Sequence, residues 1–141
     1  MERICLDTEF ISEYLHRNKD ARKKLEELRL GGTRLATVSI SAFEIYYVPF
    51  RFGGKQSLER TNRFLDAIQV IPVTLESAKM AARIQAELLR RGTPIGIRDT
   101  LIAGVALTEE IPVLTRNLKH FRRLKEIPVN GMKKDLLVET W

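Results

Sequence analysis

Short apolar runs alternate with helical patterns along this chain, and that alternation most constrains its fold. Residues 4–6, 35–39 and 70–73 are apolar runs of strand length, and apolar side chains recur at helical spacing after each of them. Strands that alternate with helices predict a mostly parallel sheet joined by right-handed crossovers. We therefore predict an α/β protein, a three-layer α/β/α sandwich, with residues 1–141 forming a single domain.

The remaining boundaries follow from helix caps and breakers. Helical patterns cover residues 8–15, 20–30, 41–49, 58–67 and 74–92, and further strands are predicted at 113–115 and 136–138. A capping box at 41–44 is predicted to open the third helix, and residues 51–55 read as a loop. Thr74 is the expected cap of the long fifth helix, while Asp99 and Asn117 are expected to open two later ones.

Polar side chains stand where the predicted strands end or the next helices begin. Asp7 follows the first strand and Asn117 follows residues 113–115, while Glu44 and Asp99 lie near helix starts. Taken singly, each is an ordinary capping residue that contributes about 1 kcal/mol. Capping does not require three acids at one sheet edge, however, and this edge is where α/β proteins bind ligands. We therefore predict that these side chains converge.

Converging carboxylates require a compensating charge. Close carboxylates raise one another's pKa unless a cation lies among them. Mg²⁺ or Mn²⁺ accepts oxygen ligands and needs only one or two direct carboxylates, and such a site can support hydrolysis of a phosphodiester. Zinc is disfavoured because Cys5, His16 and His120 show no paired spacing. Cys5 is expected to pack in the core, and His120 reads as a surface histidine without a role.

Composition narrows the partners and the compartment. The formal net charge of +6 and the pI of about 9.7 favour an anionic partner such as nucleic acid, although surface cations also promote solubility. A 44% hydrophobic composition argues against disorder, and no apolar run is long enough for a membrane helix. With one cysteine and no signal-peptide pattern, a cytoplasmic location is expected. The candidate contacts to a nucleic-acid backbone are Arg98, Arg116, Lys119 and Arg122, whose alternative role is a solvated surface.

Four segments, in this order, resemble the PIN-domain ribonucleases, specifically the VapC-like toxins of toxin–antitoxin pairs. They are LDTEFI at 6–11, SISAFEIYYVPF at 39–50, GIRDTLIAGVAL at 96–107 and VLTRNLKHFRRL at 113–124. The resemblance covers nearly the whole chain, including the VETW tail. It implies a metal-dependent endoribonuclease with Asp7, Glu44 and Asp99 around Mg²⁺ or Mn²⁺. It also implies a homodimer and inhibition by a cognate antitoxin.

Within this resemblance, Thr8 and Thr115 match supporting positions. Asn117 stands at a catalytic position where the family often has Asp, which leaves the number of metal ions open. Glu9 is expected to point away from the site and to complement the helix N-terminus. Phe43 and Tyr47 are expected in the core, while other aromatic residues between 43 and 52 are candidates for a dimer or antitoxin contact.

Two other functions stay open from the sequence. The chain could be a catalytically silent module that binds RNA or a partner protein, because Asn117 dilutes the acidic cluster. It could also be a phosphotransfer protein in which Asp7, at the end of the first strand, is the phosphorylated nucleophile. The absence of a second acid in an Asp-x-Asp arrangement argues against the phosphotransfer alternative.

Overall fold

The computed structural model describes residues 2–141. The strands in this range are β1 (Arg3–Leu6), β2 (Arg34–Val38), β3 (Gln69–Ile71), β4 (Val113–Leu114), β5 (Ile127–Val129), β6 (Met132–Lys134) and β7 (Val138–Glu139). The helices are α1 (Thr8–Leu15), α2 (Lys19–Leu30), α3 (Ser39–Phe52), α4 (Lys55–Asp66), α5 (Leu75–Arg90), α6 (Ile97–Glu109) and α7 (Leu118–Phe121). None of these helices combines the length and apolar character needed to cross a bilayer.

A five-stranded sheet forms the middle layer. Its strand order is β3-β2-β1-β4-β7, and every neighbouring pair is parallel. Helices cover both faces, which confirms the predicted α/β/α sandwich. Strands β5 and β6 form a separate antiparallel hairpin that the sequence analysis did not predict. Its turn, Asn130-Gly131, has positive φ at both residues and is a recognised hairpin signal.

The central strand β1 is buried on both faces. Ile4 and Leu6 pack with α1, α2 and α4 on one side, while Cys5 packs with α5 and α6 on the other. Successive side chains of a strand point to opposite faces of the sheet, which explains this division. The expected core position of Cys5 is confirmed, and burial raises the pKa of its thiol to about 12. The thiol therefore stays protonated at neutral pH.

Helix α3 differs from its predicted boundaries at both ends. It begins two residues early, after Val38, and the capping box predicted at 41–44 is wrong because Ser41 is buried inside the helix. It also continues through Pro49, so the loop predicted at 51–55 is shorter. Gly53 and Gly54 end it, since both adopt positive φ, which is costly for other residues. The capping role of Thr74 at α5, by contrast, is confirmed.

A close contact between α5 and α6 fixes the position of α6. A Cβ atom added at Gly104 would lie 2.7 Å from both the Ala81 Cβ and the Ser77 carbonyl oxygen. Both distances are shorter than any normal contact, so only glycine allows the two helices to approach this closely. Because α6 also carries Asp99, this contact helps to position the predicted site.

We expect Gly104→Ala to lower the free energy of unfolding by about 1–3 kcal/mol through overpacking of the α5–α6 contact. Chemical denaturation measures the change. Gly96→Ala is the matched control because a Cβ at Gly96 meets no atom within 4 Å, and it should change stability by less than about 1 kcal/mol. Equal stability of the two variants would contradict the role assigned to the contact.

Candidate active site

Asp7 lies at the point where the sheet reverses its order. The chain passes from β1 to β2 and β3 on one side and then returns to β4 on the other side of β1. Crevices outside such switch points are the usual ligand sites of open α/β sheets. The Asp7 N–H donates to the Leu114 carbonyl at 3.2 Å, and its Oδ1 accepts from the Phe10 N–H at 2.8 Å. Asp7 therefore caps α1, as predicted, and it also lines the crevice.

Asp99 reaches the same crevice from α6. The helix begins at Ile97 after Gly96, so the prediction that Asp99 caps it is wrong; Asp99 lies inside the first turn. Its Oδ2 accepts from the Asn117 Nδ2 at 3.1 Å and lies 3.1 Å from the His120 Nδ1. The Asp7 and Asp99 residues are each only 6% exposed. Two nearly buried carboxylates thus share one crevice.

The crevice is a cavity of about 300 Å³. Its lining residues are Asp7, Thr8, Glu9, Ser12, Glu13, Arg98, Asp99, Ile102 and Asn117. The expectation that Glu9 points away is therefore wrong. The sequence analysis also missed Glu13, although residues four apart share one face of a helix, so Glu13 accompanies Glu9.

Glu44 is placed beside this cavity rather than in it. It lines an adjacent cavity, where its Oε1 accepts from the Thr8 Oγ1 at 2.9 Å. Its Oε2 pairs with the Arg98 Nη1 at 3.0 Å, and the Arg98 Nε lies 3.4 Å from the Asp99 Oδ1. Arg98 thus bridges two of the predicted metal ligands. The hydrogen bond to Glu44 raises the pKa of Arg98, so the bridge stays charged.

Burial is the main influence on the Asp7 carboxyl. The pKa of Asp7 is raised from 3.8 to about 6, mainly by burial and to a smaller extent by the nearby charges of Glu9 and Asp99. Hydrogen bonds from the Thr115 side chain and the Phe10 N–H act in the opposite direction. The Thr115 Oγ1 also accepts from the backbone N–H of Asn117 at 2.9 Å, so Thr115 links the loop after β4 to Asp7.

The donor set suits a hard divalent cation. Asp7 and Asp99 offer carboxylate oxygens and Asn117 an amide oxygen. Burial is the main cause of the raised pKa of Asp7, so a cation bound beside it would favour the ionised carboxylate. Within residues 2–141, no three His, Cys, Asp or Glu side chains come together as a ligand cluster. The expected trio with Glu44 is thus reduced to a carboxylate pair, which suffices for Mg²⁺ or Mn²⁺ because these ions keep several waters.

The predicted basic contacts separate into two groups. Arg98 lines the cavity, but Arg116 stacks on the Trp141 ring at 3.6 Å and donates to its carbonyl at 3.1 Å. Arg116 also pairs with Asp20 at 3.3 Å, so its contacts hold the chain end against α2. Lys119 and Arg122 are exposed and are not among the cavity's lining residues.

His120 is a site residue that the sequence analysis passed over. Its Nδ1 lies 2.9 Å from the Asn117 Nδ2 as well as 3.1 Å from the Asp99 Oδ2. A local signal existed, since His120 follows Asn117 by three residues and so lies on the same side of α7. Its contact with Asp99 orients that carboxylate toward the cavity.

The sequence matches the PIN domain family over residues 4–127. The chain belongs to the PIN-domain family. Its curated relatives include the "tRNA(fMet)-specific endonuclease VapC" of Salmonella typhimurium, which is 30% identical over 105 residues, or 74% of this chain and 80% of the relative. "Ribonuclease VapC2" of Rickettsia felis is 26% identical over 137 residues, 96% of each chain.

Solved structures agree with membership of the PIN-domain family and with the VapC relatives. The chain superposes on the DNA-bound VapBC structure from Salmonella typhimurium with a TM-score of 0.81 and 27% identity, covering 100% of this chain and 99% of the other. It superposes on VapBC2 from Rickettsia felis, bound to a promoter DNA fragment, with a TM-score of 0.82 at 24% identity, covering 99% and 98%. At 24% identity, the similarity to the Rickettsia felis structure shows the fold alone.

We expect Asp7→Asn to stabilise the metal-free protein at high pH. A carboxyl whose pKa is raised by folding costs stability once it ionises, so the penalty is absent below pH 3.8 and complete above about 6. At pH 8 the gain should approach about 3 kcal/mol, since Asn retains the cap. It should vanish below pH 4. Denaturation across pH, with exposed Glu76→Gln as the control, tests this; a gain independent of pH would contradict it.

Proposed function

We propose that this chain is a metal-dependent endoribonuclease, the toxin of a toxin–antitoxin pair, with its active site at the Asp7–Asp99 crevice. The observation that carries the proposal is the pair of nearly buried carboxylates at the switch point of a PIN-domain sheet. The names of the relatives support the reaction class, because those proteins are called ribonucleases and endonucleases. RNA is also the anionic partner that the charge of +6 favours.

In this proposal Asp7, Asp99 and Asn117 hold Mg²⁺ or Mn²⁺. When bound, the cation supplies activation of water and stabilisation of negative charge on the phosphodiester during in-line displacement. The residues supply the geometry: the Phe10 N–H and Thr115 fix Asp7, while Asn117 and His120 fix Asp99. Water adds to phosphorus, the bond to the leaving oxygen breaks, and that oxygen takes up a proton.

Arg98 serves the substrate in the proposed reaction. Its side chain is half exposed and already touches Glu44 and Asp99, so a phosphate entering the crevice meets a guanidinium. Glu44 then acts by holding Arg98 rather than by binding the cation, and Thr8 fixes Glu44. The pair keeps one positive charge at the mouth of an acidic cavity, where it draws the scissile phosphate toward the carboxylates.

Partner binding is proposed for the aromatic face of α3. Phe43 is 68% exposed and Tyr47 is 48% exposed, so the expectation that both pack in the core is wrong. Phe50 and Phe52 are exposed on the same helix. Apolar aromatic surface of this kind is enriched in protein interfaces. We assign it to the homodimer contact, and the VapBC neighbours support an antitoxin as a further partner.

We expect Asp99→Asn to lower RNA cleavage by at least ~100-fold, because a direct metal ligand contributes more than the 10- to 100-fold of a surrounding residue. Chelation of divalent cations should abolish cleavage by the wild type, and Mg²⁺ or Mn²⁺ should restore it. Exposed Glu76→Gln is the control and should cleave normally. Circular dichroism checks the fold of each variant. Equal cleavage by wild type and Asp99→Asn in nuclease-free preparations would refute the proposal.

A double-mutant cycle separates the two roles of Glu44. If Glu44 acts by holding Arg98, Glu44→Gln should lower kcat/KM by roughly 10-fold in the wild type and very little in the Arg98→Ala background. If Glu44 is an independent metal ligand, as the family resemblance implies, the two losses should multiply. The cycle is measured with one RNA substrate at saturating Mg²⁺.

A further inference from the structure

Arginine side chains surround a cavity of about 400 Å³ on the side of the sheet covered by α1, α2 and α4. We call this space the arginine cavity, and the arginines that line it are Arg17, Arg22, Arg29, Arg60 and Arg63. No acidic residue lines the cavity. Across residues 2–141, none of the five side chains forms an ion pair or donates a hydrogen bond, whereas Arg90, Arg91, Arg98 and Arg116 all do. Like charges gathered without counterions favour an anionic ligand.

The backbone at Arg17 adds a second, independent observation. Arg17 follows the last residues of α1 with φ of 64°, a left-handed conformation that usually belongs to glycine at this position of a helix end. Its N–H bonds to the Tyr14 carbonyl at 3.0 Å, which closes the helix. Glycine would adopt this backbone more freely, and the arginine found here instead contributes a guanidinium-bearing residue to the cavity lining.

The arginine cavity is linked to the proposed active site by a series of shared lining residues. The Asp7–Asp99 cavity shares Thr8 and Ser12 with the cavity that contains Glu44, and that cavity shares Leu15 and Arg60 with the arginine cavity. All three lie along α1, whose eight residues span about 12 Å. A strand bound at one end therefore reaches the other end within a few nucleotides.

We propose that the arginine cavity binds the phosphodiester backbone of single-stranded RNA next to the cleavage position. The inference rests on the proposed function and adds a second contact region for its substrate. Planar guanidinium groups match phosphate oxygens in pairs. Half-buried Tyr14, whose ring lies 5.0 Å from that of Phe64, offers an aromatic edge to an unstacked base. A purely acidic segment such as polyglutamate would use the charge but would leave the aromatic wall without a matching group.

Binding of RNA to the metal-free protein tests the inference without cleavage. The probes are an oligouridylate of about twelve nucleotides and a uridine dinucleotide, measured in chelator across a salt series. Arg22→Ala/Arg63→Ala should weaken binding of the longer probe roughly 10- to 100-fold at low salt. The slope of log Kd against log salt should fall by about 1.4, since each single-strand phosphate contact contributes ~0.7. Dinucleotide binding should not change.

Two further variants make the outcomes decisive. Lys79→Ala/Arg83→Ala removes the same charge from exposed positions on α5, across the sheet, and should bind like the wild type. Arg22→Lys/Arg63→Lys keeps the charge and should retain most of the salt slope while losing part of the affinity. If the alanine variant does not fold, the lysine variant is compared with the wild type in its place.

Equal RNA binding by the wild type and both arginine variants would overturn the inference, and RNA cleavage by the same wild-type protein would leave the proposed function intact. The predicted binding loss in a protein that never cleaves RNA would support the cavity assignment and count against the enzyme. Polyglutamate is the probe for an acidic protein segment. If the arginine variants lose polyglutamate binding but bind RNA like the wild type, the inference is overturned in favour of such a segment.

Discussion

Two carboxylates that water scarcely reaches, Asp7 and Asp99, set the electrostatic constraint on which the site depends. The pKa of Asp7 is raised to about 6, with burial as the largest cause and the charges of Glu9 and Asp99 as smaller ones. The protein offsets part of the cost with Arg98, but this guanidinium is shared with Glu44 and lies at the cavity mouth. The remaining charge is best balanced by a divalent cation. The costly placement of these acids is thus explained by the ligand they are suited to hold.

The fold holds this pair with rigid elements. Asp7 ends the central strand β1, whose side chains are buried on both faces, and its carboxylate also caps α1. Asp99 depends on α6, whose distance from α5 is possible only because residue 104 is glycine. A site built from a strand end and a close-packed helix loses little order when a ligand binds. Gly104 therefore helps to fix the geometry of the proposed site.

Local sequence patterns predicted the parts of the site that depend on residues close together in the sequence. Strand β1, helix α1 and the position of Asp7 at the start of α1 follow from periodicity and capping, and the placement of Asp99 near a helix start made it a candidate as well. The contacts of Glu44 with Arg98 and of His120 with Asp99 join residues 54 and 21 positions apart, which no local pattern encodes. Glu13 and the Asn130-Gly131 turn are different, because a helical wheel and a known turn signal would have found them.

The arginine cavity illustrates why charge counts alone say little about nucleic-acid binding. Its five arginines are spread over residues 17–63, so they form no basic run, and only the packing of α1, α2 and α4 brings them together. Cations near Asp99 would compete with the metal for its carboxylate. Among residues 2–141, Arg98 is the one arginine that lines the Asp7–Asp99 cavity, whereas the arginine cavity lies at the far end of α1. A polyanionic strand can then be held by arginines at one end while its scissile phosphate meets carboxylates and a cation at the other. Separating attraction from catalysis in this way lets a basic protein keep an acidic active site.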